Sequence, residues 1–121
     1  MPLVSMRQLL DEAAKKGYGI GAFNVNNMEF VQAVLEAAEE VKSPVILALS
    51  EGAMKYGGRA LTLLALELAK EARVPVAVHL DHGSSYESVL RALRAGFTSV
   101  MIDKSYEDFE TNVRETKRVV E

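Results

Sequence analysis

The chain has 121 residues, of which 49% are apolar and 26% charged, with a net charge of −3. That is the size and composition of one globular domain with its own core, and the acidic balance argues against an electropositive nucleic-acid surface. No apolar run reaches the roughly 18 residues that suggest a membrane span, and the absence of cysteine excludes disulfides and thiolate metal sites. The opening Met1-Pro2-Leu3-Val4 turns polar too soon for a signal peptide, so a cytoplasmic location is expected.

Ser5 to Lys16 reads as a first helix, with Ser5 and Gln8 as a capping box and Gly17 at its end. Ile20 to Val25 is a short strand, closed by an Asn26-Asn27 cap. The next helix sets Phe30, Val31, Val34, Leu35, Ala38 and Val41 at helical spacing against Glu36, Glu39 and Glu40. Pro44 leads into a second, buried strand, Val45 to Leu49. From Ser50 to Gly58 the glycines suggest a long loop, followed by a leucine-rich helix from Arg59 to Ala72. Val74 to Leu80 is the third strand. Ser84 with Glu87 would box the start of a helix through Ala95, stopped by Gly96. Thr98 to Ile102 is the fourth strand, and Ser105 with Asp108 opens a last helix whose inner face would be Phe109, Val113, Thr116 and Val120.

The pattern is one leading helix and then βα four times, with strand starts averaging about 26 residues apart, near the roughly 31 of an eight-fold barrel. The expected fold is α/β: a (βα)4 half of a TIM (β/α)8 barrel with a parallel sheet, residues 1–121 forming one unit. Four such strands cannot close, so the first and fourth would offer unpaired edges without lysine or proline protection, and the inner sheet face would lie uncovered. A homodimer, a missing carboxyl-terminal half, or an open flavodoxin-like sheet wrapped on both faces would each resolve this. The dimer is the preferred expectation.

Ligands of parallel sheets sit at the carboxyl ends of the strands. Here those ends are Asn24-Val25-Asn26-Asn27, Ser50-Glu51-Gly52, Asp81-His82-Gly83 and Asp103-Lys104-Ser105. Any one of these could be a helix cap; four on one rim favour a site. A carboxylate beside an imidazole, Asp81 next to His82, suits metal-assisted proton transfer. Strand alternation puts His79 on the face of Asp81 and sends His82 to the other side, so the two histidines would not share one ion. His79 could orient Asp81 or be a satisfied core histidine. His82 at the strand exit is the better metal candidate, with Asp103 or Glu51 as carboxylate partners, and that set falls short of the three or four ligands zinc requires. No phosphate-loop or dinucleotide fingerprint is present, and Gly17-Tyr18-Gly19-Ile20-Gly21 precedes a strand and is a turn.

Together, Gly21-Ala22-Phe23-Asn24-Val25-Asn26-Asn27, Ser50-Glu51-Gly52, His79-Leu80-Asp81-His82-Gly83 and Gly96-Phe97-Thr98-Ser99-Val100-Met101-Ile102-Asp103 resemble class II fructose-bisphosphate aldolase, over essentially the whole chain. The resemblance corresponds to the amino-terminal half of that family's barrel. It implies zinc as cofactor, His82 as a zinc ligand and Asp103 as an acidic residue near the metal. It further implies that Asp81 handles the proton on the substrate hydroxyl and that Asn24 and Ser50 contact substrate. The implied reaction is reversible cleavage of fructose 1,6-bisphosphate to dihydroxyacetone phosphate and glyceraldehyde 3-phosphate. Tagatose-bisphosphate aldolases share these motifs. The family's other two zinc histidines, its proton-abstracting glutamate and its phosphate-binding glycine loops belong to the other half. Lys104 and Tyr106 stand where relatives often have Gly and His. The stop at Glu121 coincides with a βα boundary, so a cut or redesigned half-barrel is expected, with weak or no turnover alone. The rival expectation is a self-associating half-barrel scaffold without catalysis.

Overall fold

The computed structural model describes residues 2–121. Its elements are α1 (Met6–Lys16), β1 (Ala22–Asn24), α2 (Met28–Glu40), β2 (Val45–Ser50), α3 (Glu51–Glu71), β3 (Val76–Gly83), α4 (Tyr86–Ala95), β4 (Ser99–Ile102) and α5 (Phe109–Val120). The four strands form one parallel sheet in the order β1-β2-β3-β4, so the (βα)4 expectation holds and β1 and β4 are the edges.

Alternation along the strands separates two faces. Val45, Leu47 and Leu49 of β2 and Val76, Val78 and Leu80 of β3 point to the helices and join Leu35, Leu61, Leu66 and Phe97 in the main core. Leu47, Leu49 and Leu80 are fully buried, each burial contributing about 1.5–3 kcal/mol. The opposite face carries a smaller cluster in which Val4 and Leu9 cover Ile46 and Ala77, with Met6 and Ile20 at its margin. The segment before α1 is bound along β3: Val4 N–H donates to Val76 C=O (2.8 Å) and Val76 N–H to Pro2 C=O (2.6 Å). The inner face is therefore not left bare, because its lower part is capped by the leading helix.

Four expectations need correction. The Ser50–Gly58 stretch is helical: Ser50 Oγ accepts from Ala53 N–H (3.1 Å), starting α3 at Glu51. Gly58, at φ 64°, ψ −161°, interrupts the helical path without ending the element. The cap of α4 is Ser85, accepting from Ser88 N–H, because β3 runs on to Gly83 and shifts the helix start. The cap of α5 is Asp108, whereas Ser105 turns back to Asp103. Finally, the apolar members of the stripe expected to face inward on α5 are exposed, Phe109 by 80%, Val113 by 51% and Val120 by 79%, while Thr116 is half-buried. Only Val119 packs on the core. The helix lies against α4 and the edge strand β4.

Candidate active site

The inner face above the α1 cluster is polar. Asn24, Ala48, His79 and Ser99 pair in register across all four strands, and Ser50 pairs with Asp81 one step nearer the carboxyl ends. Strand period puts residues two apart on one face, and the register of the pairs aligns these positions into a row.

Asp81 is the point of convergence. Asn24 Nδ2 donates to its Oδ2 at 3.0 Å. His79 Nε2 and His82 Nε2 each lie 3.9 Å from its Oδ1. The expectation that the histidines point to opposite sides fails for a local reason. His82 adopts φ 52°, and the pairing of β3 with β4 shifts register between Leu80 and Gly83. Such an irregularity re-aims a side chain at a strand end. It is stabilised by close approach: a Cβ on Gly83 would lie 2.5 Å from Met101 C=O.

His82 Nδ1 and Asp103 Oδ2 are 2.5 Å apart. Asp103 also accepts from Ser105 Oγ (2.6 Å) and Ser105 N–H (3.0 Å). These bonds, Ser105 first and His82 next, hold the Asp103 carboxyl down at about 2. An ionised Asp103 makes Nδ1 the donor and points Nε2 of the half-exposed ring toward Asp81. The same bond to Asp103, with the Asp81 charge behind it, raises the His82 pKa. His79 behaves oppositely: burial lowers its pKa, against the pull of Asp81, and its Nδ1 shares a 2.7 Å hydrogen bond with Ser99 Oγ.

Of the residues expected on the rim, Asn24, Asp81, His82 and Asp103 form one hydrogen-bonded and ionic chain. Ser50 lies beside Asp81 in the sheet, but its hydroxyl caps α3. Glu51 turns away, its Oε2 accepting from Ser84 N–H (3.1 Å). Ser99 and Ser105 carry no expected site role from the sequence, where Ser105 stands only in a strand-end group and as a helix opener. Ser105, two residues beyond an aspartate, carried an Asx-turn signal; Ser99 became legible only with the cross-strand register.

As a metal centre the donor set is partial. Among the described residues no three His, Cys, Asp or Glu side chains converge to hold an ion. His82 Nε2, backed through Nδ1 by a carboxylate, has the chemistry of a single ligand with its outer partner in place.

A parallel (βα)n sheet with a titratable cluster at its carboxyl rim defines the class: an α/β-barrel fold with an enzyme-type site. Residues 4–121 match the family model described as fructose-bisphosphate aldolase class-II, and the chain belongs to that family. It is 80% identical over 119 residues to a fructose-bisphosphate aldolase of Thermus caldophilus, covering 98% of this chain and 39% of that protein. To a fructose-bisphosphate aldolase of Geobacillus stearothermophilus it is 54% identical over 125 residues, covering 100% of this chain and 44% of the relative. The crystal structure of the YdjI aldolase from Escherichia coli K12 superposes with a TM-score of 0.92 at 39% identity, covering 98% of this chain and 45% of that one. The chain thus spans less than half the length of these relatives. No helix among the described residues is long and apolar enough to cross a membrane.

Proposed function

We propose that residues 1–121 act as one half-barrel unit that supplies the amino-terminal side of a zinc-dependent class II aldolase site. Within a completed barrel it carries out reversible cleavage of fructose 1,6-bisphosphate to dihydroxyacetone phosphate and glyceraldehyde 3-phosphate, in the cytoplasm. The observation that carries this reading is the convergence of Asn24 and His82 on Asp81 at the strand exits. Asp81 takes the proton from the substrate hydroxyl beside the breaking carbon–carbon bond, and Asn24 fixes the carboxylate for it. His82 would hold zinc through Nε2. Asp103 stands near that metal position and orients the imidazole ring through Nδ1. A cation held there supplies Lewis acidity for a ketone oxygen in place of a Schiff-base lysine. Ser50 contacts substrate from the start of α3 once its cap is shared. Tagatose 1,6-bisphosphate remains an alternative sugar.

The test joins this chain to the remainder of the Thermus caldophilus barrel and follows triose phosphate release. Cleavage is expected, and it should disappear in Asp81→Asn and on chelation, while the 121-residue chain alone shows weak or no turnover. A joined, folded barrel that does not cleave the bisphosphate overturns the reading.

A second reading, a self-associating half-barrel without catalysis, is favoured by one observation: large apolar side chains are exposed on the edge strand β1 (Phe23), on α2 (Phe30) and on α5 (Phe109 and Val120).

A further inference from the structure

On the helix side of the sheet, α3 and α4 part to leave a cleft of about 840 Å³, within the 300–1,000 Å³ usual for small-molecule sites. The interruption at Gly58 lies in its wall. Its floor is apolar, formed by Met54, Leu80 and Leu90. Leu80 belongs to the main core on the face of β3 opposite His79 and Asp81, so the cleft is separated from the rim site by the sheet. Thr62, the one buried polar side chain among the described residues, lies in the lining.

The walls are cationic: Lys55 and Arg59 on α3 face Arg91 and Arg94 on α4. Elsewhere several helix charges pair within their own helix, as in Arg7–Asp11, Lys16–Glu12, Lys70–Glu67 and Lys117–Glu121, although Lys15, Arg114 and Arg118 do not. None of the four cleft cations has a carboxylate within 4.0 Å among the described residues. Two carboxylates share the lining, Glu51 and Glu87, and Glu51 is already engaged by Ser84 N–H. Four cations against two carboxylates leave a surplus of two positive charges in a chain whose net charge is −3. Arginine presents a planar donor fork to phosphate and stacks on flat apolar groups.

We propose that the α3/α4 cleft binds a phosphate monoester with an apolar or aromatic body, of nucleoside monophosphate size, independently of the rim site. The dianionic head matches the surplus charge, and the body lies on the Met54, Leu80 and Leu90 floor. This inference does not rest on the aldolase reading.

Calorimetric titration of the chain with AMP tests it, with inorganic phosphate as the head alone. The expected result is one saturable site per chain, at least about tenfold tighter for AMP than for phosphate. Arg91→Gln combined with Arg94→Gln should weaken it by about tenfold or more, and Lys55→Gln on the facing wall should weaken it separately. These side chains are exposed, and circular dichroism confirms that the variants fold. Asp81→Asn should leave binding unchanged. Absence of saturable binding, insensitivity to the arginine pair, equal affinity for phosphate and AMP, or loss in Asp81→Asn would each overturn the proposal.

Discussion

Asn24 Nδ2 donates to Asp81 Oδ2 at 3.0 Å across 57 residues of sequence, from the edge strand β1 over β2 to β3. The bond ties the least supported strand to the carboxylate at the centre of the rim. Asn24→Ala in the joined barrel should lower kcat by about tenfold, the size of effect expected when a reacting group loses its orientation. Because the pair is exposed, the unfolding midpoint should move little. Equal kcat values for the two proteins would remove Asn24 from the site.

Leu47 is fully buried between α2 and α3 on the central strand pair. Leu47→Ala should destabilise the chain by about 2–5 kcal/mol through lost burial and the cavity left behind. Urea denaturation reads this as a lower midpoint at unchanged slope.

Gly58 and Gly83 should fail differently. A Cβ at Gly58 meets nothing within 4 Å, but its φ of 64° with ψ −161° is a region open to glycine almost alone. Gly58→Ala therefore costs only backbone strain, about 1–3 kcal/mol. At Gly83 the backbone is unremarkable, but a Cβ would press on Met101 C=O, so Gly83→Ala must separate β3 from β4. The expected ranking by thermal unfolding is Gly83→Ala below Gly58→Ala.

Glu39 accepts from both the Nε and the backbone N–H of Arg73, at 3.0 Å each, joining α2 to the turn before β3. The Arg73 side-chain bond, then the backbone bond, lowers the Glu39 pKa from its ordinary 4.5. A depressed folded-state value means the stabilisation is present above 4.5 and lost as the pH falls through the lowered value. Wild type should therefore exceed Glu39→Gln in urea midpoint at neutral pH, and the two should converge in acid. A gap that persists at acid pH would count against the ion pair.

Light scattering behind size exclusion should show the isolated chain as a dimer at high concentration. Phe109→Ser with Val120→Ser should shift it toward monomer, since these are exposed apolar side chains on the helix that packs against the edge strand β4. A wild-type chain that stays monomeric at every concentration would refute the expectation.

The order and direction of the strands were legible because each is a short apolar run ending in a polar group, and the rim cluster was legible for the same reason. Three features were not. Gly57 and Gly58 mimic a loop, yet Ser50 and the packing of Leu61 and Thr62 carry the helix through them. His82 left the plane of alternation through a bulge set by Gly83 and Met101, a contact between strands that β3 alone does not encode. The direction of α5 could not be read from its own stripe, because Phe109, Val113 and Val120 are exposed among the described residues.

The binding of Pro2 and Val4 along Val76 has a consequence for the order of assembly. A ribosome delivers this segment before the strand that receives it, which is the third of the sheet. Until β3 emerges, Val4 and Leu9 have only Ile46 to cover, without Ala77 beside it. The segment before α1 must wait for the middle of the chain before it can be seated.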